Sequence, residues 1–598
     1  MKTIDEIEER YKVDLTLLFK NEEEIKQEKE TIKSIKTDLC AYKNKVLESS
    51  DNLYNVLTLL ESYDRKITKV YVYYFFKSDL DLTDDKTREE FELFDNIRLD
   101  DLKDINFVSI ELKKITKSLW KKFKVENPKL GVYDYYFKEI IRLKKYKLKD
   151  NEERFLTNLY PILGSEENVY DILTNADFKA KDVIVNGKSE KLTGNNYSKF
   201  LVSPDRDVRK QAYENMMSFY KEHNHTLSEL YKMFVKQNNL FSKLSHFKNS
   251  FDSEMINNGL KEEVYLKLID IVKTKKPFLD RFAIILKKDL GYGELYSYDM
   301  LYNKHSNKEY DFLEAVDMCI ESLKNLGVEY TSLFKKGIDN RYIDVYPYEH
   351  KNSMQYCVTS YGLPPIIHMN YNNTFDDINT LIHEMGHSIN SVLTSNNMNY
   401  VYGEPSTLVT ETAAITNEIL LANYVLNTSD DKEEKLFIIN HLVNMVRSTI
   451  FFQVNIAEFE LEAVLKDEQG EILTSEVLNS IWSNTTKNYT SNNVIINEEL
   501  SKSSWARIPH IFQDGGFYVY KYALGLCLAS SIASKILSND KKFINKYIEF
   551  LSNGSSMSDY DMFKKLGLDI TKSDYIESAF ELFNTYLDKY EELISENE

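Results

Sequence analysis

The sequence predicts a mainly α-helical protein, and three observations carry that reading. Proline is rare, nine in 598 residues, and glycine is modest at 18, so long stretches run without a helix breaker. Apolar residues recur at spacings of three and four, as in Ile378, Leu381, Ile382, Met385 and Ile389. The one long departure lies between Tyr342 and Asn373. There "YIDVYPYEH" and "MQYCVTSYGLPPIIHMNYNN" bring prolines, tyrosines and β-branched residues with no helical period. That texture predicts several short strands, hence a small β-sheet among the helices. With 42% apolar and 13% aromatic residues the chain can bury a large core, in several domains or one multi-lobed one.

Taken in order, residues 1 to about 110 read as strongly charged helices, with Lys20 to Lys36 as a solvated helix face. Residues 111–200 continue in helices and hold one hairpin. In "DVIVNGKSEKLT", Asn186-Gly187 separates two short extended runs, as a type I′ turn requires. Helical spacing returns from Arg206 to Leu290. In the strand-rich stretch, Pro364 and Pro365 cannot donate ladder hydrogen bonds, so that end of their strand is expected at an edge or outside the sheet. After Asp376 the pattern is helical almost to the end, and the sequence has no internal repeat or low-complexity linker.

A net charge of −19 argues against nucleic acid as a partner, because phosphate binding needs a basic face. The four cysteines, Cys40, Cys319, Cys357 and Cys527, are scattered without CxxC pairing and read as reduced residues. The start, "MKTIDEIEERYKVDL", has no apolar run of signal-peptide length. The longest weakly polar run, near Tyr522 to Ala533, is too short to span a bilayer. No membrane partner and a cytoplasmic location are expected.

"TLIHEMGHSIN", residues 380–390, carries the chemistry. Its apolar spacing makes an amphipathic helix, with Asp376 or Asp377 available to cap it. At about 100° per residue, His383 and His387 lie about 40° apart on one face, a turn apart along the axis, and both can reach one metal ion. Glu384, displaced by about 100°, is placed to meet a water beside the metal rather than the metal itself. This is the H-E-x-x-H arrangement of zinc peptidases, and a catalytic zinc takes a third protein ligand. The metzincin arrangement is excluded, since Leu393 and Asn390 stand where its third histidine and its glycine belong. A carboxylate on a later element is expected instead, from Glu404, Glu411 or Glu418. Glu404 lies in a turn, "YGEP". Glu411 and Glu418 share nearly one face of a helix that Ser406 can cap, beside the small residues Ala413 and Ala414, which would let a second helix approach. Glu411 is the expected ligand, with Glu418 orienting a ligand imidazole.

"HEMGHS" followed by "YVYGEPSTLVTETAAITNE" resembles the thimet-oligopeptidase-like (M3) zinc metallopeptidases, specifically their oligoendopeptidase F branch. "YKVDLTLLF", "LTNADF", "SPDRDVRKQAYENM", "FFQVNIAEFE" and "RIPHIFQDGGFYVYKYALG" are similar to pieces of the same branch, so the resemblance spans nearly the whole chain. It implies a large, two-lobed, mainly α zincin-type fold enclosing a deep substrate channel, with a small sheet beside the active-site helices. It divides the chain into an N-terminal helical lobe (1–110), an oligoendopeptidase F N-terminal-like region (111–200) and a catalytic domain (201–598). It implies one Zn2+ per chain on His383, His387 and Glu411, with Glu384 as general base.

The resemblance also implies that His510 and a tyrosine of "FYVYKYA" donate to the carbonyl oxygen, with Tyr520 first and Tyr518 and Tyr522, which share one helix face, as alternatives. The expected activity is endopeptidase cleavage of short unfolded peptides. A catalytically inactive peptide-binding protein or an exopeptidase are the alternatives, the second less favoured because no charged residue in the motifs caps a substrate terminus. The oligomeric state stays open between monomer and homodimer. The strand "SYGLPPIIHMNYN" is expected to take the peptide on a sheet edge, and Gly403 and Gly515-Gly516 to mark loops that adjust around it. Three departures from the branch stand out: Asn390 in place of a frequent histidine, "HKNSMQYCV" before the strand, and a longer "IFQDGG" loop after His510. They bear on subsites and tyrosine positions rather than on the chemistry.

Overall fold

The structure, a computed structural model, describes residues 2–148, 152, 163–305, 308–513 and 515–595. Helices dominate, from Glu22–Cys40 to Asp574–Ser595, and the only sheets among the described residues are a two-stranded hairpin and a sheet of three short strands. The mainly α expectation holds. Helix Ser50–Leu80 shows why: 31 residues without glycine or proline, opened by Ser49, whose side chain accepts the Asn52 N–H. The charged helix Glu22–Cys40 buries only the stripe Ile25, Ile32, Ile35 and Leu39 and leaves its lysines and glutamates to water. The weakly polar run after Tyr520 is a core helix, Tyr520–Leu537, with Ala523, Leu524, Leu526 and Cys527 fully buried. Among the described residues no helix is long and apolar enough to cross a membrane. All four cysteines are free thiols.

The chain forms two compact units, each assembled from three separated stretches. The first comprises Met1–Lys145, Lys308–Tyr424 and Lys535–Leu566; the second comprises Tyr146–Asn307, Val425–Ser534 and Gly567–Glu598. In the second unit, β1 (Val183–Val185) and β2 (Lys188–Glu190) pair antiparallel across Asn186 and Gly187, whose φ angles of 51° and 78° are those of the expected type I′ turn. The core of this unit is aromatic: Tyr231 packs against Phe459 at 5.4 Å and Trp505 at 5.5 Å.

In the first unit, β3 (Ile343–Asp344), β4 (Tyr356–Val358) and β5 (Ile366–His368) lie in the order β3-β5-β4, with β3 parallel and β4 antiparallel to β5. Pro364 and Pro365 fall just outside β5, as their missing donors require. The strand expected to offer a free edge is corrected here. β5 is the central strand, flanked on both sides, and its Ile366 and Ile367 are fully buried. The edge strands are β3 and β4.

Lys351, in the unusual "HKNSMQYCV" segment, ties this sheet together. Its buried ammonium pairs with Asp344 at 2.7 Å and donates to the carbonyls of Tyr346, at 2.9 Å, and Met369. Asp344 also accepts the Val13 N–H at 3.2 Å. Lys351→Met leaves a buried, unpaired carboxylate and is expected to lower stability by about 3–5 kcal/mol, read as an earlier urea midpoint, while adding Asp344→Asn restores part of the loss.

Candidate metal centre and active site

Helix Phe375–Asn397 carries both motif histidines. Its cap is Thr374, whose side chain accepts the Asp377 N–H while Asp377 accepts the Thr374 N–H. The expectation of an aspartate cap is corrected: Asp377 is the reciprocal member of a capping box and Asp376 lies in the first turn. Leu381, Ile382 and Met385 are fully buried and fix the rotation of the helix, leaving His383 and His387 together on its partly exposed face. Helix Thr407–Thr428 follows, with Ser406 accepting the Val409 N–H at 3.3 Å. It approaches closely where the sequence is smallest: a Cβ on Gly386 would meet Ala414 Cα at 2.9 Å.

Three donors converge across that contact. His383 Nε2 and His387 Nε2 are 3.1 Å apart, and the Glu411 carboxylate reaches them at 3.7 and 3.8 Å. His383, His387 and Glu411 form a group able to hold a metal ion, with ligand atoms all within 4.8 Å of one another. Donors about 2.0–2.1 Å from a tetrahedral zinc stand about 3.3 Å apart, so this set fits zinc in element type and spacing. Glu418 Oε1 accepts from His383 Nδ1–H at 2.5 Å, which turns the Nε2 lone pair toward Glu411. Asn379 Nδ2 donates to the other Glu418 oxygen at 2.6 Å. Glu404 is occupied elsewhere, accepting the Tyr361 N–H at 3.1 Å.

The electrostatics select a cation. Burial alone would lower His383, but the Glu418 hydrogen bond and the carboxylates of Glu418, Glu384 and Glu411 outweigh it and hold the imidazole up, to about 9. His387 is pushed down to about 3 by burial and by the charge on His383. Three carboxylates thus face a pair of imidazoles that together carry one proton's charge. Glu384, 8% exposed, is raised by burial, and the Cys357 backbone N–H on β4 favours its charged form. It stands clear of the three converging donors.

Comparison with known proteins decides the family. The family model for Peptidase family M3 matches residues 200–582, more than half of the chain, and that for Oligopeptidase F matches residues 111–179. The chain belongs to peptidase family M3. It is 32% identical to Oligopeptidase PepF of Bacillus subtilis over 96% of this chain and 86% of that one. It is 33% identical to the Oligoendopeptidase F homolog of Lactococcus lactis subsp. lactis over 99% of both. Its structure matches oligoendopeptidase-F from Enterococcus faecium with a TM-score of 0.73 at 25% identity, over 96% of this chain and 99% of that one. This M3 chain is therefore a peptidase of oligopeptides, in the oligoendopeptidase F branch.

In the second unit, this M3 peptidase groups His510 with Tyr518 and Tyr522. The His510 ring lies 6.5 Å from Tyr518 and 6.2 Å from Tyr522, and the two tyrosine rings are 5.4 Å apart. Burial lowers the His510 pKa. The preference for Tyr520 is corrected: it is 1% exposed, and its ring packs in the core against Tyr265 at 4.9 Å. Helix Tyr520–Leu537 begins at this residue, and its inward face is apolar. Gly403 is a packing glycine rather than a hinge, because a Cβ there would fall 2.3 Å from the Tyr361 ring. Asn390 donates to the Leu551 carbonyl at 2.7 Å and takes no part in the donor set.

Two contributors escaped sequence reasoning. Asn379 stands four residues before His383 on the histidine face, a spacing that could have flagged it. Glu460 left no local signal. It is fully buried, and its Oε1 accepts the Phe517 N–H at 2.8 Å, holding the loop before Tyr518. There Gly515, Gly516 and Phe517 have φ of 81°, 81° and 56°, while Asp514 of the "IFQDGG" loop lies outside the described residues. Burial, and secondarily Glu254, raise Glu460 to about 8, against a favourable contribution from the Phe517 N–H. The folded state therefore keeps a proton that the unfolded chain loses near 4.5, so this group costs stability progressively as pH rises toward about 8. Glu460→Gln is expected to gain melting temperature over the wild type across that window and to match it near pH 4.5. Parallel melts at several pH values test this, and a pH-independent difference contradicts it.

Proposed function

We propose that this protein is a zinc-dependent endopeptidase that hydrolyses internal bonds of short, unfolded oligopeptides in the cytoplasm. The observation that carries the reading is the convergence of His383 Nε2, His387 Nε2 and the Glu411 carboxylate, with Glu384 beside them but outside the set. His383, His387 and Glu411 would hold the zinc ion, which would supply Lewis acidity toward a carbonyl oxygen and a water. Glu384 accepts the proton of the attacking water at a carboxylate oxygen and passes it to the departing amide nitrogen. Glu418 holds His383 in the tautomer that leaves Nε2 free to bind. His510, Tyr518 and Tyr522 are assigned as donors to the carbonyl oxygen as it becomes negative, each worth about 3 kcal/mol.

The substrate is assigned to the free edge of β4. That strand has one strand neighbour, and its Cys357 N–H reaches Glu384, so a peptide laid along the edge runs beside the general base. Backbone pairing of this kind reads few side chains and suits varied peptides.

The test is cleavage of a quenched, end-blocked nonapeptide by the wild type and by Glu384→Gln, with metal content measured in both. Internal cleavage by the wild type is expected, with a loss of about a thousandfold in kcat in a variant that keeps its metal. Undiminished activity in the variant contradicts Glu384 as base, and cleavage confined to peptides with a free terminus contradicts an endopeptidase.

A further inference from the structure

Among the described residues, the second unit holds a partly exposed arginine that no carboxylate pairs with. Arg447 opens a π-helical turn, Arg447–Phe451, between helices Lys432–Val446 and Phe452–Glu468. Such widened turns displace side chains from regular helical packing and occur often at functional sites. Its Nε–H donates to Asn444 Oδ1 at 3.1 Å, and among the described residues no other group receives a hydrogen bond from the guanidinium and no carboxylate pairs with it. Burial lowers its pKa to about 10, with no charged group contributing, so it stays a cation at neutral pH. Arg209 in the same unit is the contrast, fully buried but paired with Asp299 at 2.9 Å. A guanidinium on a cavity wall without a counter-charge is stabilised by an anion placed beside it.

Arg447 lines a cavity of about 170 Å³ together with Phe452, Asn455, Trp482, Thr486 and Tyr489. Its side chain is partly exposed rather than fully buried. The volume is close to the roughly 150 Å³ of an apolar cavity that takes up benzene. A buried group there is unsatisfied: Asn455, 3% exposed, donates to Thr486 Oγ1 at 3.0 Å, but its Oδ1 has no partner. A neighbouring cleft of about 360 Å³ shares Trp482, Thr486 and Ser491 with the cavity.

We infer that this cavity binds a carboxylate carried next to one aromatic ring and an N–H donor: the carboxylate on Arg447, the ring among Phe452, Trp482 and Tyr489, and the N–H on Asn455 Oδ1. An N-acylated aromatic amino acid and the C-terminal aromatic residue of a peptide share this chemistry. The site is independent of the peptidase reading, since the observations lie in the cavity itself.

Calorimetric titration of the full chain with N-acetylphenylalanine and with its C-terminal amide tests the inference. Saturable binding of one acid per chain is expected, with the amide at least tenfold weaker, Arg447→Gln at least tenfold weaker for the acid, and Asn455→Asp impaired by repulsion. N-acetyl-Ala-Ala-Phe separates the two sources: equal or tighter binding points to a peptide C terminus, and binding of the short acid alone points to a free amino-acid derivative. Equal binding of acid and amide by the wild type overturns the inference without reference to any variant. So does absence of saturable binding, or unchanged affinity in a folded Arg447→Gln.

Discussion

Gly386 has no room for a side chain, and the candidate site depends on that. An added Cβ would press on Ala414 Cα at 2.9 Å and Asn417 Nδ2 at 3.1 Å. Helices packed through ordinary side chains lie about 8–10 Å apart, and small residues at the crossing shorten that distance. His383 and His387 bracket the glycine on one helix, and Glu411 and Glu418 bracket the alanine on the other. The short crossing lets a glutamate carboxylate reach both imidazole nitrogens at under 4 Å without leaving its helix. A wider crossing would carry Glu411 away from its partners and Glu418 away from His383 together.

The site is also held from outside its donor set. Asn379 fixes Glu418, Glu418 fixes the His383 ring, and Cys357 on β4 engages Glu384. These supports come from a capped helix, a helix packed on both faces and a sheet stapled by Lys351, all in one compact unit. Rigid scaffolding of this kind keeps donors in place before anything binds, and much of the effectiveness of a metal or catalytic site rests on it. The proton balance follows from the same packing. Carboxylates gathered in a buried space raise His383 and thereby suppress His387, so the group favours exchanging a proton for a metal cation.

Features written in local sequence were legible. Helical spacing located the metal-binding helix, Asn186-Gly187 named its turn type, and the four-residue interval between His383 and His387 implied a shared ligand. Ala413-Ala414 forecast the close helix approach. Tyr518 does lie beside Tyr522, but from the loop before the helix and not from a shared helix face. What failed was set by partners distant in sequence. The stretch "SYGLPPIIHMNYN" reads as a sheet edge that takes a peptide, yet its strand β5 is central, because the prolines mark where the strand begins and not what lies beside it. Tyr520 was preferred by analogy, while its burial against Tyr265 depends on a residue more than two hundred positions away. Glu460 and Arg447 look like ordinary helix residues until the loop and the cavity they face are known. The division into two units of interleaved segments leaves no mark in a linear reading.

The central claim is that His383, His387 and Glu411 hold one zinc ion through two imidazole nitrogens and one carboxylate. X-ray absorption at the zinc edge of the purified protein, with metal stoichiometry measured on the same sample, tests it most directly. One zinc per chain with two imidazoles at about 2.0–2.1 Å, an oxygen shell and no sulfur is the predicted result. A sulfur ligand, or no stoichiometric metal in a folded protein that has been offered zinc, would contradict it.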